Sequence, residues 1–130
     1  MHSPTIQVRN TRKVRMHELS IAISMIDQII AESESRGGLD VEAVHMKLGI
    51  FSGVDKEALL FAYEIACDGT PLHGTRLVIE TVPLVINCSV CQKNRTPPSV
   101  YQLSCPECQS PAQQIVSGRE IEVDWLEVAA

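Results

Sequence analysis

From Met16 onward, apolar residues return every three or four positions: Leu19, Ala22, Ile23, Ile26, Ile29 and Ile30. Gly37-Gly38 closes the run. This spacing predicts an amphipathic helix of about five turns. Glu18 stands in its first turn, at the positive end of the helix dipole. Over residues 41–51 the period falls to two. Val44, Met46, Leu48 and Ile50 point one way and His45, Lys47 and Gly49 the other, as in a half-buried strand. Ser52-Gly53-Val54-Asp55 then turns into a second helix, with Leu59, Ala62, Tyr63 and Ala66 on its inner face, and Asp68-Gly69-Thr70-Pro71 stops it. A second strand is expected from Arg76 to about Val82. Near the end, Ser117-Gly118 marks a turn, and Ile121, Val123 and Trp125 alternate with Glu120, Glu122 and Asp124. This last strand is expected to return to the first sheet, because an edge strand with a tryptophan needs a core to cover it. His45, on the polar side of a strand, and His73, in a loop, are expected to be solvated.

Between the second and last strands lies the most informative motif. Cys88-Ser-Val-Cys91 and Cys105-Pro-Glu-Cys108 are separated by thirteen residues. Two C-x-x-C turns at this distance supply four thiolates, a tetrahedral shell for Zn²⁺. Pro106 stiffens the second turn by fixing its backbone angle. The span between the pairs is long enough for a short hairpin to bring them together. A closed four-thiolate site leaves no position for substrate, so this metal is expected to hold a fold together. Two disulfides would need an oxidising compartment, and the N-terminus reads as no secretory signal. A dithiol redox motif explains one pair and not two. Iron in a rubredoxin-like electron carrier fits the same four thiolates, and colour separates it from zinc. Cys67 stands apart in the second helix, where its default role is a small core hydrophobe.

Composition narrows the function classes. The chain has 130 residues, of which 45% are hydrophobic, which excludes a mostly disordered protein. No apolar run approaches the roughly 20 residues that span a bilayer. The net charge is −5, although the first fifteen residues hold Arg9, Arg12, Lys13 and Arg15 and no acid. The rest of the chain is therefore more acidic still. That argues against a phosphate-backbone partner, which matters because the other class open to a zinc ribbon is a nucleic-acid-binding or transcription-associated module. Residues 1–15 show no clear period. They are expected to be a disordered tail or an upstream extension of the reading frame, with Met16 as the start.

Met16-His17-Glu18-Leu19-Ser20 at the head of the first helix, the stretch from Gly49 to Glu64, Pro71 to Leu77 and the paired cysteine turns together resemble the HypA/HybF family of hydrogenase-maturation nickel metallochaperones. The resemblance covers residues 16–128. The cysteine turns alone are unspecific; joined to the Met-His-Glu start at this distance, they are highly specific. The resemblance implies a carrier rather than an enzyme. It would receive Ni²⁺ as cargo, work with a HypB-like GTPase of nickel maturation, and deliver the ion to the large subunit of a [NiFe] hydrogenase. It further implies nickel ligation by the His17 imidazole, the backbone nitrogens of His17 and Glu18, and the amine of Met16 where that residue is the terminus. Asp55 matches a carboxylate implicated in some members, although capping the second helix would by itself justify an aspartate there. The side chain of Glu18 stays open between dipole partner, ligand and contact for the GTPase. Nickel favours nitrogen donors in a plane, which distinguishes it from tetrahedral Zn²⁺. The first N–H groups of a helix have no intrahelical acceptor and are free to serve a ligand.

The expected architecture is therefore α/β (α+β): two helices packed on a small mixed three-stranded sheet, with an inserted zinc-ribbon domain. Residues 16–86 plus 117–130 would form the nickel-binding domain and 87–116 the zinc ribbon. The expected protein is cytoplasmic, a monomer or weak homodimer, with protein partners and neither nucleic acid nor membrane.

Overall fold

The computed structural model describes residues 16–130, so the tail or extension expected over 1–15 lies outside the described residues. Two helices and six strands follow in the order α1 (Met16–Ser35), β1 (Val41–Gly49), α2 (Lys56–Cys67), β2 (Arg76–Val82), β3 (Val85–Cys88), β4 (Lys93–Arg95), β5 (Gln114–Ser117) and β6 (Ile121–Val128). They build two three-stranded sheets, ordered β2-β1-β6 and β4-β3-β5.

The first sheet is mixed, as expected. β1 and β2 are parallel, from Ala43 opposite Arg76 to Gly49 opposite Val82. A parallel pair needs a crossover, and α2 supplies it. β6 returns antiparallel to β1 after the cysteine-bearing excursion. Val44, Met46 and Leu48 of β1 pack with Ala22, Met25, Ile26 and Ile29 of α1 and with Leu59, Ala62, Tyr63 and Cys67 of α2. Burying these side chains is the main favourable term in the fold. Cys67 is the core hydrophobe its position suggested.

Four expected positions are corrected. The buried stripe of α1 runs through Glu18, Ala22, Met25, Ile26 and Ile29, whereas Ile23 is 47% exposed. The stripe is thus rotated so that Met25 replaces Ile23. Ile50 lies beyond the end of β1 and is half exposed, because the chain leaves the strand at Gly49. Trp125 is also half exposed. The register of β6 slips where His45 faces Trp125 and Met46 faces Val123, leaving Asp124 as an extra residue. Such a bulge reverses the alternation. Val123 and Leu126 therefore pack on the core, while Trp125 points to the opposite face. There it stacks on His45, with ring centroids 3.6 Å apart and 9° between planes. His45 is accordingly covered rather than solvated, and its Nε2 lies 3.0 Å from Glu127. His73 is exposed, as expected.

The chain enters and leaves the second sheet through one crossing. A Cβ on Gly49 would lie 2.0 Å from the Gly118 carbonyl oxygen, so only glycine admits this approach. Gly118 itself has φ +114 and sits against the Leu84 backbone. Around the crossing, Phe51 N–H donates to Gly118 O at 2.7 Å, Gly49 N–H to Glu120 O at 2.7 Å and Ile50 N–H to Val82 O at 3.0 Å. Gly49→Ala is expected to destabilise the protein by about 3 kcal/mol, since backbone must move to admit a methyl group. Chemical denaturation checks this. An unchanged midpoint would show that the crossing relaxes freely.

Candidate metal sites

The second sheet brings the cysteines together. β3 runs directly into Cys88 and pairs with β4 so that Cys88 faces Lys93. The loop from β4 to β5 carries Cys105 and Cys108 back over the first pair. There Cys105 N–H donates to Ser110 O at 2.9 Å, and Gln109 N–H to Cys105 O at 2.9 Å. Gln92 and Gln109, each one residue past a C-x-x-C turn, have φ of 55 and 60. Both turns thus end in the left-handed conformation and point their sulfurs inward.

All four Sγ atoms lie within 4.8 Å of one another. Cys88 and Cys108 are 3.5 Å apart, and Cys91 and Cys105 are 3.9 Å apart. A tetrahedron with Zn–S bonds of about 2.3 Å has edges of about 3.8 Å. The cage therefore fits a four-coordinate zinc ion. None of the four is disulfide-bonded. Two thiols are biased towards the thiolate that a metal requires. Cys108 is drawn down to about 6, chiefly by the Ser110 side chain and backbone. Cys105 is also lowered, first by the backbone N–H of Cys108. Cys91 is instead pushed up to about 11: the charge of Arg95 favours its thiolate, but burial and the neighbouring cysteines outweigh it. Neither Ser110 nor Arg95 was singled out from sequence; a serine and an arginine flanking the cysteine turns were the available signal.

The other sequence-predicted site residues gather at the start of α1. Met16 is its first residue. His17 is exposed, and its Nε2 lies 3.3 Å from the Gly53 carbonyl. The same Nε2 contacts the Glu18 carboxylate. Glu18 is completely buried, and among the described residues neither of its oxygens has a hydrogen-bond partner beyond that imidazole contact. A buried carboxylate without donors is costly, so its environment calls for a positive partner. Asp55 is the N-cap of α2, its carboxylate accepting from Glu57 N–H at 3.0 Å. It lies two residues beyond Gly53 in the loop that His17 touches. That backbone carbonyl was invisible to sequence reasoning, which sees side chains only.

These elements match known proteins along nearly the whole described chain. The family profile for hydrogenase/urease nickel incorporation, the metallochaperone HypA, covers residues 16–128. The chain belongs to the HypA family. It is 44% identical over 113 residues to the hydrogenase maturation factor HypA of Roseiflexus sp. (strain RS-1), covering 86% of this chain and 91% of that one. It is 42% identical over 113 residues to the hydrogenase maturation factor HypA of Chloroflexus aurantiacus (strain ATCC 29366 / DSM 635 / J-10-fl), covering 86% of this chain and 98% of that one. The solution structure of the Ni metallochaperone HypA from Helicobacter pylori shares the fold, with TM-score 0.63 and 23% identity over 87% of this chain and 97% of that one. HypA proteins are metallochaperones and maturation factors rather than enzymes. A closed sulfur cage with no vacant coordination position agrees with that. Among the described residues no helix is long and apolar enough to cross a membrane.

The second sheet and its loops have few buried apolar side chains, chiefly Ile86 and the adjoining Leu84. The folding free energy of the zinc module is therefore largely metal-binding free energy. Cys88→Ser is expected to abolish stoichiometric zinc. It should also remove amide-exchange protection from residues 85–117 while β1 keeps its own. Unchanged zinc content in Cys88→Ser, measured by metal analysis, would contradict the assignment.

Proposed function

We propose that the chain binds Ni²⁺ at the head of α1 and hands it on in hydrogenase maturation, with zinc held separately by Cys88, Cys91, Cys105 and Cys108. One observation carries this reading: a fully buried carboxylate, Glu18, whose one polar partner among the described residues is the imidazole of the exposed His17 at a helix N-terminus. Both neighbours of His17 Nε2 are oxygens that accept, so Nε2 carries the proton. That leaves Nδ1 with its lone pair free for a metal. Nδ1 and the His17 amide nitrogen can close a six-membered chelate ring, and the Glu18 amide lies next along the helix. Glu18 and the Gly53 carbonyl would then orient the imidazole and raise its basicity, as outer-shell partners of metal-bound histidines do. On this reading the Glu18 side chain positions and does not ligate. Met16 adds an amine where it is the first residue, and Asp55, which caps α2 in the loop that His17 touches, is the further donor on this reading. Nitrogen donors in a plane suit Ni²⁺, and four thiolates suit Zn²⁺, so the two ions need not compete.

We divide the chain into a nickel-binding unit of 16–86 plus 117–130 and a zinc ribbon of 87–116, a division that leaves Val85, Ile86 and Ser117 of the second sheet on the nickel-binding side. The partner surface we favour is the free edge of the first sheet at β6, where Ile121, Trp125 and Val128 are exposed. Exposed apolar side chains on an edge strand mark a protein interface. A HypB-like GTPase and the large subunit of a [NiFe] hydrogenase are the partners that the family's role implies, in the cytoplasm.

His17→Ala is expected to abolish stoichiometric nickel binding in calorimetry and to leave zinc in place. Glu18→Gln should weaken nickel about tenfold through loss of the imidazole's carboxylate partner. A chain starting at Met16 should bind nickel at least about tenfold more tightly than one starting at Met1, or about 1.4 kcal/mol, because an amine replaces a far less acidic amide. Full nickel binding by His17→Ala would remove the proposed site. Tight binding of duplex DNA at physiological salt without GTPase binding would favour the nucleic-acid class instead.

A further inference from the structure

The three residues of β4 set charge against sulfur. In the antiparallel ladder Cys88 faces Lys93, Asn87 faces Asn94 and Ile86 faces Arg95. Directly opposed residues share a face, and successive residues alternate. Arg95 therefore lies on the face of the hairpin that carries Cys88 and Ile86, both closed to solvent. The other face carries the Asn87–Asn94 side-chain hydrogen bond, at 3.2 Å. A position that would ordinarily hold an apolar residue thus holds an arginine.

The surroundings of that arginine contain no conventional partner. Its Nε is buried and has no hydrogen-bond partner among the described residues. A buried donor without an acceptor is costly, and natural structures rarely keep one without a reason. What the site does offer is sulfur: Arg95, diagonal to Cys88 in the ladder, lies within reach of the cage, and its charge acts on Cys91 and Cys105. Four thiolates around one Zn²⁺ leave two uncompensated negative charges in a small, partly closed module. Lys93, on the same face, is exposed to solvent and does not substitute for Arg95 at the cage, and Glu107, between the second pair of cysteines, is an exposed acid that supplies no positive charge.

We propose that Arg95 is the outer-sphere cation of the zinc site, holding the Cys91 sulfur in the metal shell and slowing release of the ion. It is a positioning residue: it touches a ligand, not the metal. In this role a guanidinium N–H occupies a Cys91 lone pair that would otherwise be open to an electrophile or a competing metal, and the Arg95 charge offsets part of the cage's excess. Cys91 is the thiol that needs this most. It is less buried than Cys88 and Cys105 and has no counterpart to the Ser110 contact that supports Cys108. The inference concerns the sulfur cage alone and stands or falls independently of nickel.

The test uses the zinc-loaded full chain, a pyridylazo dye as zinc acceptor, and iodoacetamide with peptide mapping. Arg95→Met keeps the length of the stem and removes charge and donors. It should release zinc at least about tenfold faster than the parent, in the range of outer-shell losses. Cys91 should become the first cysteine alkylated. Arg95→Lys keeps the charge and should release zinc more slowly than Arg95→Met. If Arg95 serves only to pack its stem, Arg95→Met releases zinc at the parental rate with unchanged Cys91 alkylation, and the proposal is overturned. Should Arg95→Met not fold, Arg95→Gln carries the same comparison. Parental Cys91 alkylation in zinc-loaded Arg95→Gln overturns the proposal equally.

Discussion

The close approach of Gly49 to Gly118 is the contact on which the rest of the molecule depends. One strand of the core sheet ends there, and the chain returning from the cysteine module passes at backbone distance. The same crossing anchors the loop that follows β1, through Phe51 N–H to Gly118 O. Two residues further on, Gly53 presents its carbonyl to His17. The zinc module is thus tied, through a few backbone hydrogen bonds, to the loop that contacts the head of α1. Metal loading at the sulfur cage and the placement of His17 share a mechanical connection without sharing a ligand.

The two sites solve different problems. A structural ion must stay, and the sulfur cage would surround it completely, with Cys105 and Cys108 biased towards thiolates by nearby donors. A cargo ion must leave, and the site we propose for it at the head of α1 is an open edge made of one imidazole and main chain. The buried Glu18 is the costly element there. It removes a carboxylate from water with only an imidazole beside it, a conflict expected where function rather than stability sets the choice. The family's role as metallochaperones gives that conflict a purpose.

Much of this was legible in the sequence because the signals were periodic or discrete. The cysteine spacing led to the cage, the helical and alternating runs led to a mixed three-stranded sheet, and Asp55 was readable as a cap. The misreadings have one physical origin. Strict alternation placed Trp125 on the core beside Val123, but a single extra residue at Asp124 reverses the strand's parity, and no side-chain pattern announces a bulge. Ile23 looked as apolar as Met25, and only the packing angle of α1 decided between them. Backbone contacts were equally silent: the Gly53 carbonyl at His17 and the Gly49–Gly118 crossing carry no side chain to read.

The central claim is that one chain holds two metals with chemically separate donor sets. X-ray absorption at the zinc and nickel edges of the doubly loaded protein tests it most directly. The account predicts four sulfurs at about 2.3 Å around zinc, unchanged when nickel is added, and a nickel shell of nitrogen and oxygen only. Sulfur scattering at the nickel edge, or loss of zinc–sulfur scattering on nickel addition, would contradict it.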